Sequence, residues 1–448
     1  MSVLSLALAC ATVLFSASAV VRFLSFAEAG ETLGLFAGSG LPGADIASAA
    51  AWDHWIREQD RQVRARIDRG TEDSISNLIL YGTSYTSLPR MENAESALTP
   101  GGALADLARS RMHAFVEAVG LPATSERIAI VQEFLKRKAV SREKTEPFLA
   151  GNLRRFAEEQ AAYQNKLVEA QRSGDMDRKL STRGTLYQAR GLSVDTSLLV
   201  NYGLEDTLRT LMEKGLLAAG SIRRIAVIGP GLDFTNKHSG YDFYPLQTIQ
   251  PFAVMETVLR LKLGRPGEVE VATMDLNPEV NGHITKLARA ARAGRSYAVQ
   301  LPRETAGWPE GALAYWEHFG EIIGAQAEPL PVPQTLGGVA VRAVAIAPRY
   351  ASHVTPLDLN VVAQHVAWEP GKAFDLVIAT NILVYYDRFQ QALAMANVAL
   401  MMNAGGIFLA NDALSAHHVQ ALEFVDRHTV SYSADGSYGD NVLAYRRK

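Results

Sequence analysis

The sequence predicts an α/β protein in which a mostly helical amino-terminal half precedes a parallel β-sheet. In the first half, apolar residues recur at helical spacing. From Ile225 onward, short apolar runs rich in β-branched residues alternate with helical patterns, which is typical of buried parallel strands. A third observation is the turn Gly229-Pro230-Gly231 directly after the first run. Glycines at this point let the backbone turn tightly and approach a ligand, so we expect a Rossmann-like nucleotide-binding unit.

Length and composition limit the possible classes of protein. The chain has 448 residues, enough for two or three domains of about 100 to 200 residues each. A formal charge of −3 gives no electrostatic reason to expect a nucleic acid or an anionic membrane surface as a partner. The single cysteine, Cys10, excludes an internal disulfide and a thiolate metal cluster.

The amino terminus has the pattern of a leader segment. No charged side chain precedes Arg22, and the apolar run of residues 3–21 is about long enough to cross a bilayer as a helix. Ala17-Ser18-Ala19 and Ala27-Glu28-Ala29 would suit a signal peptidase, although the basic region expected before a secretory signal is missing. We therefore predict a signal peptide or membrane anchor over residues 1–29. A misassigned start or a buried apolar helix is the alternative.

Residues 45–200 are predicted to form a helical domain, whose role the sequence does not disclose. Its first helix is expected over residues 45–69, with Asp45 as the N-cap and Gly70 just beyond the end. Further helical patterns cover residues 103–119, 125–138, 146–171 and 198–217.

Two nucleotide-binding motifs are missing at the glycine turn, which limits the kinds of ligand that it could bind. A dinucleotide motif needs a small residue where Phe234 stands, and no P-loop pattern is present. A long insertion follows Gly231, and its residues Tyr241, Asp242 and Tyr244 are candidates for a lid or for substrate contacts. Packing against the helical domain is the equal alternative for these side chains.

A carboxylate is predicted at the tip of the second strand. The apolar run of residues 269–274 is followed by Asp275, which would accept hydrogen bonds from both ribose hydroxyls of an adenosine ligand. Asp275 stands farther from Gly231 than the roughly 20 residues usual in a dinucleotide site, and the insertion accounts for the excess.

From here a series of motifs covers the carboxyl-terminal half, residues 223–448. They are Thr273-Met274-Asp275-Leu276-Asn277, the segment 314–319 (AYWEHF), the segment 354–360, the segment 374–387 (FDLVIATNILVYYD), Gly405-Gly406 and a closing hairpin within residues 430–445. Their order resembles that of class I S-adenosylmethionine (SAM) methyltransferases, and most closely the chemotaxis-receptor (CheR-like) methyltransferase family. The resemblance implies a Rossmann-like class I methyltransferase sheet with a closing antiparallel hairpin over residues 201–448, and SAM as cofactor.

The resemblance also implies roles for individual residues. Gly229 and Gly231 would approach the methionine part of SAM, Asp275 would hold the ribose, Asp358 and Leu359 would flank the adenine, and Asn381 would bind the amino-acid end. Tyr385 and Tyr386 would wall the methyl-transfer pocket, with aromatic packing at a strand-to-helix junction as the alternative. A carboxylate acceptor needs no general base, whereas a hydroxyl acceptor would, and Asp242 or His238 are the candidates.

Departures from the family pattern leave other functions open. Val227 and Asp233 stand where the family motif has an acidic residue and a glycine, which motivates a non-catalytic protein that keeps the fold for binding or scaffolding. A dehydrogenase is a third possibility. The space before the final hairpin is too short for a receptor-docking subdomain, so the receptor substrate is not carried over and the acceptor, a small molecule or a protein, stays unidentified.

The remaining expectations concern metal and location. The histidines, among them the adjacent pair His417-His418, are not at ligand spacing, so we expect no metal site. Because SAM is a cytosolic metabolite, a leader would fit a membrane-anchored protein whose catalytic domain lies on the cytoplasmic side. A cytoplasmic protein is equally compatible with SAM, and secretion is the alternative that conflicts with it.

Overall fold

A computed structural model describes residues 20–37, 46, 48–172, 191–192, 198–235, 241–304, 307–369, 371–411, 419–436 and 438–448. His238, His417 and His418 lie outside these residues, as does nearly all of the apolar run 3–21.

The described chain contains eleven α-helices and twelve strands. The helices are α1 Phe26–Leu35, α2 Ala49–Tyr81, α3 Asp106–Val119, α4 Glu126–Arg137, α5 Arg142–Arg172, α6 Leu198–Glu213, α7 Gln250–Arg260, α8 Pro278–Arg292, α9 Glu310–His318, α10 Pro348–Ala351 and α11 Arg388–Met401. The strands are β1 Val20–Phe23, β2 Arg224–Ile228, β3 Glu270–Asp275, β4 Tyr297–Glu304, β5 Gly324–Ala327, β6 Val339–Ile346, β7 Val354–Asp358, β8 Gln364–Ala367, β9 Phe374–Ala379, β10 Met402–Asn411, β11 Leu422–Ser431 and β12 Gly439–Arg447.

The main sheet has seven strands in the order β11-β12-β10-β9-β2-β3-β7. The five strands from β10 to β7 are parallel to their neighbours, whereas β12 pairs antiparallel with both β10 and β11. The order along the chain reverses between β2 and β9, and in doubly wound sheets ligands bind at such a switch point, beyond the carboxyl ends of the strands. The predicted Rossmann-like α/β sheet with a closing antiparallel hairpin is therefore confirmed.

Successive side chains of β2 face opposite sides of the sheet, so they pack in two separate cores. Ile225 and Val227 pack in a cluster that contains the helical domain, α7 and α8. Ala226 and Ile228 pack in a second cluster with α11 and the amino-terminal part of α2. Both faces of the sheet are thus covered by helices, as buried parallel strands require.

Helix α2 is longer than the sequence pattern predicts. It begins after Ser48, whose side chain accepts a hydrogen bond from the backbone N–H of Ala51, and it continues through Gly70 to Tyr81. Gly70 does not end the helix. A Cβ at this position would lie 1.8 Å from the carbonyl oxygen of Leu192, so glycine is needed because another backbone segment crosses the helix here.

A second, smaller sheet was not predicted. Strands β4, β6 and β5 form an antiparallel sheet in that order, inserted between α8 and β7. It packs on the main core through Val299, Leu301 and Val344. The chain therefore carries an inserted β-subdomain at a point where the sequence showed only the Trp- and Phe-bearing segment 314–319.

Part of the expected leader belongs to the folded domain. Strand β1 pairs antiparallel with β8, and Ser25 forms a capping box with Glu28 at the start of α1. Leu24 and Ala29 are buried in the same core as α11. Strand β1 and the start of α1 are therefore part of the packed fold. Within the described residues, no helix has the length and apolar character needed to span a membrane.

Candidate cofactor and active site

The glycine turn after β2 has the backbone geometry that its sequence predicts. Gly229 and Gly231 have φ angles of 64° and 68°, in the left-handed region that favours glycine. The N–H of Gly229 donates to the carbonyl of Met274 at 2.8 Å, which fixes the turn to the neighbouring strand. A Cβ on Gly229 would lie 2.1 Å from Cδ1 of Ile382. The loop after β9 therefore covers one side of the first glycine.

The carboxylate of Asp275 lies beside this turn. The N–H of Asn277 donates to its Oδ1 at 2.8 Å, and the backbone amides of Leu276 and Gly231 donate to the same carboxylate. Burial raises the pKa of Asp275 to about 6; these amides oppose the rise, and the negative charge of Asp358 adds to it. At pH 7 the group is a mainly ionised acceptor held by the glycine turn.

Asp358 is the residue of β7 that pairs directly with Asp275 of β3. Its side chain is 63% exposed, and its Oδ1 lies 2.8 Å from Nη1 of Arg64 on α2. The next residue, Leu359, is buried, and its N–H donates to the carbonyl of Asp275 at 3.4 Å. The residues expected at the ribose and the adenine are thus brought together, and sequence reasoning missed the arginine beside them.

Asn381 follows β9 in a strained backbone conformation, with φ at 58°. Its side-chain oxygen accepts from Nδ2 of Asn411 at 2.9 Å, and its N–H donates to Oδ1 of Asn411. Such outliers cluster at functional sites because neighbouring contacts must hold them. The side-chain oxygen of Asn381, a residue expected to bind the amino-acid end of SAM, therefore accepts a hydrogen bond within the protein that helps to fix the loop.

Tyr385 and Tyr386 are both buried, at 6% and 3% exposure. Nη1 of Arg66 donates to the carbonyl of Tyr385 at 2.9 Å. Burial raises the pKa of the Tyr386 phenol, the positive charge of Arg66 opposes this rise, and the charge of Asp275 adds to it. Tyr386 is thus close enough to both Asp275 and Arg66 of α2 to sense their charges, whereas Tyr385 lines a small cavity. That cavity, of about 190 Å³, is lined by Gln62, Val63, Arg66, Tyr385, Asp387 and Gln390.

Asp242 performs a structural task in the insertion after Gly231. Its carboxylate accepts from the backbone N–H and the hydroxyl of both Thr83 and Ser84, at distances between 2.5 and 3.1 Å. The loop that carries these donors is itself fixed by Arg111, which donates to the carbonyl of Gly82. Both carboxylate oxygens of Asp242 thus accept hydrogen bonds that connect the insertion to the helical domain. This contact corresponds to the alternative in which Asp242 packs against that domain.

Arg127 of α4 is a second anchor that sequence reasoning missed. It is 2% exposed, and its guanidinium donates to the backbone carbonyls of Asp233, Phe234 and Tyr244. Phe234 packs in the core cluster that contains the helical domain and not in the cluster of Leu359. Nothing in the local sequence marks Arg127, since its partners stand more than 100 residues away along the chain.

A larger cavity of about 430 Å³ lies where three parts of the chain meet. They are the loop of Arg90 in the helical domain, the insertion with Tyr241, and the inserted β-sheet. The remaining lining residues are Glu304, Thr335, Leu336, Gly337, Gly338 and Val339. Nε of Arg90 donates to the carbonyl of Tyr81, and its guanidinium lies over the Tyr241 ring at 5.6 Å. The cavity thus presents a cation on an aromatic wall.

The described part of the chain contains no group of three or more His, Cys, Asp or Glu side chains that could hold a metal ion. The strand-tip site contains carboxylates, backbone amides, arginines and aromatic rings, a composition suited to an organic ligand with hydroxyl and amino donors.

No protein-family model matches the sequence, and no curated protein sequence matches it. The structure is similar to the N-methyltransferase NodS from Bradyrhizobium japonicum WM9, at 13% identity over 55% of this chain and 94% of that chain, with a TM-score of 0.26. It is also similar to the magnesium protoporphyrin IX methyltransferase ChlM from Synechocystis PCC 6803 with bound SAM (10% identity, 61% and 85% of the chains, TM-score 0.28). The CcbJ methyltransferase from Streptomyces caelestis is a third (12%, 53% and 93%, TM-score 0.25). The strand order of the main sheet, and not these similarities, defines the fold.

Proposed function

We propose that this protein is a SAM-dependent methyltransferase whose cofactor site lies at the carboxyl ends of β2, β3 and β7. The position of Asp275 carries the proposal: its carboxylate sits between the amide of Gly231 and the directly paired Asp358. In this arrangement Asp275 accepts from the two ribose hydroxyls, and Asp358 accepts from the adenine amino group. Leu359 covers the ring.

The bound cofactor would supply a methyl group on a positively charged sulfur, which is an already activated leaving group. The chain contributes alignment and exclusion of water, which can supply much of the acceleration. We assign this task to Tyr386, which is buried, and to Asn381, whose backbone N–H and side chain are both fixed by Asn411.

The cavity at Arg90 supports an anionic acceptor. The guanidinium of Arg90 lies 5.6 Å from the centroid of the Tyr241 ring, and the planar donor fork of arginine matches a carboxylate. A carboxylate acceptor requires no general base, which agrees with the use of both Asp242 oxygens in structural bonds. We therefore propose a small molecule or side chain that carries a carboxylate, with methyl transfer to oxygen.

Calorimetric titration with S-adenosylhomocysteine (SAH) tests the cofactor site without knowledge of the acceptor. We expect the protein to bind SAH, and Arg90→Gln to bind it with unchanged affinity. If Arg90 positions the acceptor, the same variant should lose turnover once an acceptor is found by screening carboxylic acids with radiolabelled SAM. Absence of SAH binding by the unmodified protein would contradict the proposal.

A non-catalytic protein that keeps the fold is the second candidate, and one contact favours it. Ile382 fills the space next to Gly229, on a turn that would otherwise approach the methionine part of the ligand. Replacement of Ile382 by Ala distinguishes the two candidates. If the isoleucine blocks the site, SAH binding should appear only in Ile382→Ala. For an enzyme, the unmodified protein should already bind.

A further inference from the structure

Arg64 connects the helical domain to the strand-tip carboxylates. Its Nε donates to both carboxylate oxygens of Asp60, at 3.0 and 3.1 Å, while its Nη1 lies 2.8 Å from Oδ1 of Asp358. The guanidinium therefore joins one carboxylate on its own helix to one at the end of β7. Two-sided pairing of this kind fixes the orientation of an arginine better than a single ion pair does.

A second layer of hydrogen bonds fixes the acidic partner. Oδ1 of Asp60 also accepts from Nδ2 of Asn360 at 2.9 Å, two residues beyond Asp358. The N–H of Asn360 donates to Oε1 of Gln364 at 2.9 Å, and Nη2 of Arg64 lies 3.5 Å from the same oxygen. The segment after β7 and helix α2 thus share one polar network.

The helix that carries Arg64 cannot move independently of the sheet. Trp52, Ile56 and Val63 of α2 are at most 1% exposed, and they belong to the core cluster that contains Leu359. Because the backbone on both sides of the network is packed in one core, the distance between Arg64 and Asp358 is set by the fold.

We propose that Arg64 is a positioning residue of the cofactor site, which holds Asp358 for the adenine and supplies the positive charge that lets two carboxylates stand side by side. This inference rests on the proposed SAM site, and it assigns the helical domain a role in cofactor binding. Asp358 keeps 63% of its side chain exposed while paired, so a ligand can reach it without displacing the arginine.

The charge of Arg64 also has a consequence for Asp275. The groups that face Asp275 are Asp358 from β7, the Tyr386 phenol from the loop after β9, and the amides of its own turn and of Gly231. Arg64 affects Asp275 through its ion pair with Asp358, and the positive charge of Arg66 acts on the Tyr386 phenol. Without Arg64, the negative charge of Asp358 is uncompensated, and protonation of Asp275 becomes easier. The pKa of Asp275 should then rise above its value of about 6.

The test is SAH affinity as a function of pH in the full chain. In the unmodified protein, affinity should fall as pH decreases through about 6, because protonated Asp275 loses one acceptor. Arg64→Gln should weaken SAH binding at least about tenfold at pH 7, and it should move the midpoint to higher pH. Arg64→Lys, which retains the charge, should restore the midpoint. Arg61→Gln is the matched control, since Arg61 lies on the same helix, is 67% exposed and pairs locally with Glu58.

The outcomes separate this inference from the proposed function. If Arg64→Gln binds SAH with the affinity and pH midpoint of the unmodified protein, the positioning role is wrong and the cofactor site stands. If neither the unmodified protein nor any of these variants binds SAH at any pH, the proposed function is wrong. A weakened affinity with an unchanged midpoint would reduce Arg64 to a structural residue and would also overturn the inference. Selective ¹³C labelling of aspartate allows the Asp275 titration to be followed without any ligand.

Discussion

Asp275 and Asp358 are directly paired residues at the carboxyl ends of neighbouring parallel strands. Burial raises the pKa of Asp275 to about 6, and repulsion by the neighbouring Asp358 carboxylate adds to the rise. The pair is tolerated because backbone amides donate to Asp275 and Arg64 neutralises Asp358. An arrangement that costs stability in the absence of a ligand is typical of a site that is built to bind one.

Replacement of Asp275 by Asn should weaken SAH binding about tenfold to several hundredfold. Hydrogen bonds to a charged acceptor contribute about 1.5 to 3 kcal/mol each, and the ribose would lose at least one. Calorimetric titration measures the change. Asp106→Asn is the control, because Asp106 is 97% exposed. Equal affinity of Asp275→Asn and the unmodified protein would argue against the ribose-binding role.

Replacement of Asp242 by Asn should destabilise the fold and leave SAH affinity unchanged. The new amide group would face N–H and O–H donors of Thr83 and Ser84, so we expect a loss of roughly 2 to 4 kcal/mol in the free energy of unfolding. Urea denaturation measures this. A variant of normal stability that loses methyl transfer would instead support the general-base role considered from the sequence.

Gly70→Ala and Gly151→Ala should change stability in opposite directions, although both glycines lie within helices. A Cβ at position 70 would meet the carbonyl oxygen of Leu192 at 1.8 Å, whereas nothing lies within 4 Å at position 151. Forced displacement of backbone should cost about 1 to 3 kcal/mol. At Gly151 the higher helix propensity of alanine should add up to about 1 kcal/mol. Thermal unfolding measures the stability of both variants. Equal shifts of the melting temperature in the two variants would contradict the close backbone approach at Gly70.

Acidification should destabilise the protein through His283. Burial lowers the pKa of this imidazole from 6.5 to about 4, and Lys286 adds to the effect, while its Nε2 lies 2.9 Å from the Tyr297 hydroxyl. The unfolded chain therefore binds a proton that the folded chain does not. Stability present above pH 6.5 is lost as pH falls toward 4, by up to about 3 kcal/mol.

The variant His283→Gln isolates this contribution, since glutamine can still accept from Tyr297 and does not titrate. Its free energy of unfolding should depend less on pH between 6.5 and 4 than that of the unmodified protein. His54→Gln, at an exposed position of α2, should retain the original dependence. Identical curves for His283→Gln and the unmodified protein would exclude His283 as the cause.

The sequence predicted those features that depend on local pattern. Strand β2, the carboxylate at the end of β3 and the closing hairpin each occupy a short, contiguous stretch with its own periodicity and turn residues. The helical pattern of residues 125–138 corresponds to α4 for the same reason. Local chemistry is sufficient where one segment determines its own conformation.

The missed features all depend on partners that are distant along the chain. Gly70 has the spacing of a helix terminator, but its role is set by Leu192. For Asp242 the sequence left a catalytic role and packing against the helical segment as equal alternatives, because its donors, Thr83 and Ser84, lie far away along the chain. Arg64 gave no signal at all, since an arginine on a helix is usually solvated. Tertiary contacts of this kind cannot be read from one sequence by periodicity.

A crystal structure of the protein with SAH tests the central claim most directly. We predict that the ribose hydroxyls of SAH lie within hydrogen-bonding distance of the Asp275 carboxylate, that the adenine amino group faces Asp358, and that the Arg64–Asp358 pair stays intact. If SAH is found elsewhere, or if the strand-tip position stays closed by Ile382 at saturating SAH, the methyltransferase proposal is contradicted.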